Sequence, residues 1–285
     1  MERRLAEIIE VELGSAVVQS RPVAGGDFAT AFRVTLDDDR TVFVKTHKNP
    51  PPGFFTTEAT GLEWLRSSNS VNVPQVLAVR DEPALLILQW VDSGGATATT
   101  EPDLGRALAA LHQSGAMSFG REDQRTTGSQ ALPNDPAETW AEFYATQRLL
   151  PLADIAERWN ALPDQVIANL CNVAGRLSEL TGPAEAPARL HGDLWAGNRM
   201  VDSSGGSWLI DPACFGGHRE FDLAMMQLFG GFGSQVFAAY DEVFPLADGW
   251  RDRVALNQIA PLVVHAIKFS GGYVSAATDA ITRYA

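Results

Sequence analysis

The stretch that most constrains this chain runs from residue 190 to 211 and reads LHGDLWAGNRMVDSSGGSWLID. Within it, "RMVD" and "SWLID" flank "SSGG", a pattern that predicts a strand, a tight turn and a second strand. A hairpin brings its outer strand ends together. Asn198, just before the first strand, and Asp211, at the end of the second, are therefore expected to converge beside the loop acid Asp193.

These three polar residues predict a chemistry. Amide and carboxylate oxygens suit Mg²⁺, which takes few protein oxygens and completes its shell with water and phosphate. An acid just before them can accept a proton from an attacking hydroxyl. A loop Asp, then an Asn, then a metal-binding Asp on the next strand is the layout of a phosphoryl-transfer site. We therefore predict Asp193 as the catalytic base, with Asn198 and Asp211 holding Mg²⁺.

The first ninety residues supply the positive charge that phosphates require. "ATAFRVTL" and "TVFVKTH" alternate around "DDDR" and predict a hairpin, whose second strand ends on Lys45. A helix over residues 56–68, with Thr57 as its N-cap, follows and carries Glu58. A strand lysine paired with a helix glutamate grips nucleotide phosphates in kinases, so we expect Lys45 and Glu58 to position ATP.

Two further segments are candidates for nucleotide contact. "AGGDFAT" (24–30) predicts a turn between strands, and the backbone amides at Gly25 and Gly26 are expected over the phosphates. This turn is not a full G-x-G-x-x-G and is a weak signal alone. In "LQWVDSGG", the backbone of Gln89 and Val91 is expected to bond adenine at a hinge.

The pattern changes after residue 91. Strands "QVLAVRD" and "ALLILQWV" end the β-rich part, and from residue 100 onward the spacing is helical apart from the hairpin described above. We expect an α+β chain with a two-lobed, protein-kinase-like fold. Residues 1–91 would form a small β-rich nucleotide-binding lobe, and residues 92–285 a larger, mostly helical lobe for catalysis and substrate binding.

Composition narrows the choice of partners. The formal net charge of -13 argues against a nucleic-acid or membrane-surface partner, which requires a basic face. The two cysteines form no disulfide or zinc-binding pattern, which fits a reducing cytoplasm. The N-terminal segment is amphipathic rather than a signal peptide, and no segment is long and apolar enough to span a bilayer. A cytoplasmic protein is expected.

Two strings carry a specific resemblance. "HGDLWAGN" followed by "IDPACFGGHREFDLAMMQLFGGF" resembles the fructosamine kinase (ketosamine 3-kinase) family of the protein-kinase-like, aminoglycoside-phosphotransferase-like superfamily. The resemblance runs from Gly25 nearly to the chain end. It implies ATP-dependent phosphorylation of the 3-hydroxyl of sugar–amine adducts such as fructosamines and ribulosamines. The implied role is deglycation of free amines, and glycated protein is a further possible substrate.

The resemblance also implies roles for neighbouring residues. Trp195 would form part of the sugar pocket, His191 would pack the loop against the Asp211 strand, and Asp222 would tie the catalytic-loop backbone. His218 and Glu220 follow the metal strand, and we predict that they contact substrate.

Two positions differ from those of related kinases. Pro212 and Ala213 follow the metal-binding acid, as is usual in this family, where protein kinases have Phe-Gly; this argues against a protein-kinase-style loop flip. Asp27 stands in the glycine turn where some members carry cysteine, so no thiol switch is expected there.

The residues leave alternatives open. The same fold can phosphorylate another hydroxyl compound, such as an aminoglycoside, choline or a thiosugar. A catalytically silent nucleotide-binding module is a second alternative, although the complete set from Lys45 to Asp211 argues against it. A two-metal phosphoesterase would need more ligands than five scattered histidines provide.

Overall fold

The computed structural model describes residues 3–23, 29–121 and 132–285. Its first part is a five-stranded antiparallel sheet in the order β1-β2-β3-β5-β4 with two helices. The strands are β1 Val17–Val23, β2 Thr30–Leu36, β3 Thr41–Thr46, β4 Val76–Arg80 and β5 Leu85–Gln89; the helices are α1 Arg3–Leu13 and α2 Phe54–Arg66. The predicted hairpin closes where the Leu36 amide donates to the Arg40 carbonyl at 2.9 Å.

Alternating side chains bury both faces of this sheet. On one face, Val44 and Ile87 pack with Ile9 of α1 in one core cluster. On the other, Leu86 and Leu88 pack with α2 in a second cluster that continues into the helical part. Because successive strand residues point to opposite faces, the interior strands β3 and β5 are held from both sides. A rigid sheet therefore carries Lys45.

The start of α2 differs from the prediction. The helix begins at Phe54, and its N-cap is Gly53 with φ 70°, so the predicted cap at Thr57 is wrong. A left-handed backbone costs glycine little, which lets the "PPG" turn lead directly into the helix. The extra turn buries Phe55 in the core beneath the sheet.

The second part of the chain is mainly helical. Its helices are α3 Thr100–Gln113, α4 Trp140–Tyr144, α5 Leu150–Arg158, α6 Asp164–Gly175, α7 Leu177–Leu180, α8 Glu220–Leu228, α9 Ser234–Val243, α10 Val254–Phe269 and α11 Gly272–Thr282. Four short strands form two pairs: β6 Ala188–Leu190 with β9 Phe215–Gly217, and β7 Arg199–Val201 with β8 Ser207–Leu209. The β7–β8 pair is the predicted hairpin, with Arg199 opposite Leu209.

An interrupted helix and one strand pair in this part of the chain could not be predicted from the sequence. Residues 136–159 have helical spacing throughout, but the helix begins at Trp140, capped by Thr139, and is interrupted by a π-helical turn, Ala145–Leu149. The pair β6 and β9 was not predicted, because three-residue strands paired far along the chain show no periodicity. In the ranges that the structure describes, no helix is long and apolar enough to cross a membrane.

Candidate active site

Lys45 lies on the central strand β3, on the face of the sheet that packs against α2. On β3 it lies opposite Ala31 on β2 and Leu86 on β5, so its backbone is held from both sides. Its Nζ lies 2.8 Å from Oε1 of Glu58 on α2 and also contacts the Asp211 carboxylate. The side chains of Lys45 and Glu58 are only 11% and 7% exposed.

The charges in this triad depend on one another. Burial alone would lower the pKa of Lys45, but the carboxylates of Glu58 and Asp211 outweigh it and hold the pKa above the ordinary lysine value. Burial also raises the pKa of Glu58, an effect that the Lys45 ammonium opposes. The lysine is therefore a permanent cation, fixed between a helix acid and the acid predicted to bind metal.

The loop from His191 to Asn198 presents the predicted base. The Asn198 side-chain Nδ2 donates to the Asp193 carbonyl at 2.8 Å, to Asp193 Oδ2 at 3.0 Å and to the Asp211 carbonyl at 3.4 Å. One buried amide thus connects the two acids that lie on either side of the β7–β8 hairpin. The convergence expected from the hairpin is present.

The pKa of the Asp193 carboxyl group suits a residue that accepts a proton. Burial raises the pKa of Asp193 from the ordinary aspartate value to about 6, while the hydrogen bond from Asn198 and the positive charge of Lys268 oppose that rise. A carboxylate with this pKa is mostly ionised at neutral pH and is more basic than an exposed aspartate. It can therefore accept a proton from a bound hydroxyl.

A close backbone contact ties this loop to the Asp211 segment. Gly192 has φ 82°, and a Cβ at this position would lie 2.0 Å from the Ala213 carbonyl oxygen. The Ala213 amide donates to the His191 carbonyl at 2.9 Å. The His191 ring is buried, with Nε2 3.0 Å from the Ile210 carbonyl oxygen. His191 thus packs the loop against the segment after β8, which carries Asp211.

Asp222 holds the same loop from below. Its two carboxylate oxygens accept hydrogen bonds from the backbone amides of His191, at 2.8 Å, and Gly192, at 2.9 Å. Behind it, His112 of α3 lies 3.3 Å from Asp222 and 2.8 Å from the Tyr240 hydroxyl on α9. A buried polar chain across three helices therefore fixes the loop backbone.

The predicted substrate residues have different surroundings. Trp195 is 38% exposed and meets the Phe229 ring edge-on at 5.8 Å. Glu220 is buried, with both carboxylate oxygens bound by Arg253 at 2.6 and 2.9 Å. His218 is also buried, and its Nε2 lies 3.8 Å from a Glu185 oxygen. Substrate contact by His218 and Glu220 stays a prediction, and these contacts favour a structural role.

Of the residues predicted to contact the nucleotide through their backbone, the structure describes Gln89 and Val91. Gln89 ends β5, and its amide donates to the Gln75 carbonyl at 2.9 Å, so an adenine contact from Gln89 is restricted to its carbonyl oxygen. Val91 is buried directly after this strand. Gly25 and Gly26, together with Asp27, lie outside the described residues.

The residues around the hairpin fit a magnesium ion. The Asn198 Nδ2 donates a hydrogen bond to Asp193, so the Oδ1 of Asn198 points away from the base. The Asp211 side chain is 38% exposed. One amide oxygen and one carboxylate leave most coordination positions to phosphate and water, as Mg²⁺ prefers.

Sequence reasoning missed part of the site. Phe229, Phe269 and Tyr273 extend the exposed surface of Trp195, and Lys268 places a positive charge near Asp193. The spacing of His265, Phe269 and Tyr273 by four residues was an available signal, although the break between α10 and α11 obscured it.

Comparison with known proteins identifies the family. The fructosamine kinase family model matches residues 1–285. A protein assigned as a ketoamine kinase in Enterococcus faecium is 35% identical over 88% of this chain and 90% of its own length. The chloroplastic protein-ribulosamine 3-kinase of Arabidopsis thaliana is 32% identical over 92% of this chain and 81% of its own length.

Solved structures agree with this assignment. A crystal structure assigned as a fructosamine-3-kinase from Thermobifida fusca superposes with a TM-score of 0.93 at 37% identity, covering 100% of this chain and 99% of that one. The choline kinase of Streptococcus pneumoniae shares the fold alone, with a TM-score of 0.65 at 15% identity and 99% coverage of both chains. The predicted α+β, protein-kinase-like fold and ATP-dependent phosphotransferase class are confirmed. The chain belongs to the fructosamine kinase family.

Proposed function

We propose that this protein uses ATP and Mg²⁺ to phosphorylate the 3-hydroxyl of ketosamines, the sugar–amine adducts that its relatives are named for. The observation that carries the proposal is the convergence of two sets of residues. Asn198 contacts both Asp193 and the Asp211 carbonyl, and the Asp211 side chain contacts Lys45. A base, a metal-binding pair and a phosphate-binding cation thus meet at one cleft.

The residues act on the substrate hydroxyl in one step. Asp193 orients the hydroxyl and accepts its proton as the oxygen attacks the terminal phosphorus of ATP in line. The bond from that phosphorus to the bridging oxygen breaks on the opposite side, and ADP leaves. Lys45, fixed by Glu58, offsets the negative charge on the phosphate oxygens. Asn198 and Asp211 would hold Mg²⁺, which would supply positive charge to offset the negative charge on the transferring phosphate.

The two parts of the chain would divide this work. Residues 1–91 would bind the nucleotide through Lys45, the glycine turn and the carbonyl of Gln89. Residues 92–285 would supply the catalytic loop and the sugar pocket at Trp195. Both cysteines are free, which supports action in the cytoplasm. Deglycation is the role that follows for such a kinase, on small sugar–amine adducts and on glycated protein.

A substrate panel tests the proposal. ATP consumption with Mg²⁺ is measured against ribulose-lysine, fructose-lysine and an aminoglycoside, with and without enzyme. Turnover on either ketosamine is expected. Turnover of the aminoglycoside alone would be consistent with the fold and the mechanism but would reject ketosamines as the substrate class. ATP binding without phosphate transfer to any of the three would contradict the proposal.

A further inference from the structure

Five aromatic rings form a continuous patch that begins at the catalytic loop. Trp195 contacts Phe229 at the end of α8, with ring centroids 5.8 Å apart. Phe229 contacts His265 of α10 at 5.0 Å and Tyr273 of α11 at 6.4 Å. Phe269 completes the patch, 5.6 Å from His265 and 6.0 Å from Tyr273. We refer to these five rings as the aromatic patch.

The aromatic patch is exposed where a protein normally hides such side chains. Trp195, Phe229 and Phe269 are 38%, 39% and 49% exposed. The other exposed large hydrophobic residues of the described chain come from other segments, such as Val11 on α1 and Trp159 after α5. Isolated exposed hydrophobic residues need no explanation, but contiguous ones mark binding surfaces. The patch is therefore a candidate for ligand contact.

Close backbone contacts hold the patch beside the base. A Cβ on Gly197 would lie 2.1 Å from the Trp195 ring, so the ring packs against Gly197 of its own loop. Gly231, two residues after Phe229, has φ 89°, and a Cβ there would lie 2.5 Å from Ala196 Cβ. Glycine at both positions lets the end of α8 and the indole approach the catalytic loop.

The end of α10 also lies close to the base. Lys268, next to Phe269 in sequence, is near enough to Asp193 for their opposite charges to attract. The patch is thus anchored at the catalytic loop through Trp195 and near the base through the last turn of α10. A substrate whose hydroxyl reaches Asp193 would extend over the rings.

We propose that the aromatic patch binds the amine end of the ketosamine through cation–π contact with its protonated nitrogen. This inference rests on the proposed function. The nitrogen is bonded to C1 and the reacting oxygen to C3, so with bonds of about 1.5 Å the two atoms are roughly 5 Å apart. In the proposed pose, a ligand bound at Asp193 through that oxygen directs its nitrogen toward the rings that adjoin the catalytic loop. Aromatic faces attract such cations.

The test separates charge recognition from apolar contact. Phe269→Leu and Tyr273→Leu keep apolar bulk but remove the aromatic face. Each variant is measured with fructose-lysine and with the ether analogue in which oxygen replaces the amine nitrogen. KM is measured for each compound, or the inhibition constant where the analogue is not turned over. Trp159→Leu, at a 69% exposed ring outside the patch, is the matched control.

We expect KM for fructose-lysine to rise roughly two- to fivefold per ring, the range for exposed cation–π contacts. kcat, the constant for the ether analogue and the control variant should all stay unchanged. An unchanged KM for fructose-lysine, or an equal rise for both compounds, would overturn the inference. Wild-type enzyme that turns over no ketosamine would instead overturn the proposed function and the inference with it. Thermal unfolding of each variant verifies that it is folded.

Discussion

The Asn198 side-chain amide donates to Asp193 twice, at 2.8 Å to its carbonyl and at 3.0 Å to its carboxylate. The amide therefore fixes both the backbone and the carboxylate that we propose as the base. It also lowers the pKa of Asp193, against the larger effect of burial. Asn198 thus contributes to both the position and the basicity of Asp193.

Replacing this neighbour should change the pH profile as well as the rate. In wild-type enzyme, kcat/KM should fall tenfold per pH unit below about pH 6, where Asp193 becomes protonated. In Asn198→Ala the acid limb should move to higher pH, and the plateau should fall roughly a hundredfold because the base is misplaced and one proposed Mg²⁺ ligand is lost. Steady-state kinetics from pH 5 to 8 measure both. A plateau that falls while the acid limb stays in place would contradict the coupling.

Asp193→Asn should stabilise the fold at neutral pH. Burial raises the pKa of Asp193 in the folded state to about 6. The folded state thus binds the proton more tightly than the unfolded chain does, and stability is lost as pH rises through 6. The variant avoids this loss, so its free energy of unfolding should exceed that of wild type by about 1–2 kcal/mol at pH 7.5 and by almost nothing at pH 4. Urea unfolding at the two pH values is the measurement. A variant less stable than wild type at pH 7.5 would contradict the argument.

Glu58→Gln should weaken nucleotide use specifically. The substitution removes one of two carboxylates that fix Lys45, so the ammonium is less well placed for phosphate. We expect KM for ATP to rise roughly tenfold, with KM for the ketosamine unchanged. Glu12→Gln, which removes the partner of Arg80 in a surface pair, is the control and should leave both constants unchanged. Equal effects of the two variants would show that Glu58 acts only through general stability.

Gly192→Ala should disrupt the junction between the catalytic loop and the Asp211 segment. The added Cβ would meet the Ala213 carbonyl oxygen at 2.0 Å, in a backbone with φ 82°. We expect a loss of about 2–4 kcal/mol in the free energy of unfolding and a lower kcat. Gly175→Ala is the control, because a Cβ there meets nothing within 4 Å at the end of α6. It should be neutral or stabilise by up to about 1 kcal/mol. Similar unfolding midpoints for the two variants would contradict the packing argument.

The parts of the fold predictable from sequence were those with local patterns. The hairpins around Arg40 and Gly205 follow from alternation and turn residues, and the amphipathic helices follow from their spacing. Asp193, Asn198 and Asp211 were placed together because hairpin geometry constrains strand ends, and Lys45 was assigned from the pairing of a strand lysine with a helix glutamate in kinases. By contrast, the start of α2 depends on Gly53 adopting a left-handed backbone, which no polar cap residue signals.

Contacts between residues that are far apart in the sequence were harder to predict. Glu220 follows the metal strand closely in sequence, yet its carboxylate binds Arg253 before α10. The aromatic patch draws on four separate segments, so no window of sequence contains it. His112 lies on α3, yet its partners are Asp222 on α8 and Tyr240 on α9. Tertiary packing decides such contacts, and periodicity carries no signal for them.

The most direct test of the central claim is phosphate transfer from ATP to fructose-lysine and ribulose-lysine by wild type and Asp193→Ala. The account predicts turnover by wild type at the sugar 3-hydroxyl. It predicts a loss of roughly 10²–10⁴-fold in the variant, whose ATP binding should be largely retained. Near-normal turnover by the variant would remove Asp193 from the mechanism. Wild-type enzyme that transfers phosphate to neither ketosamine would contradict the account as a whole.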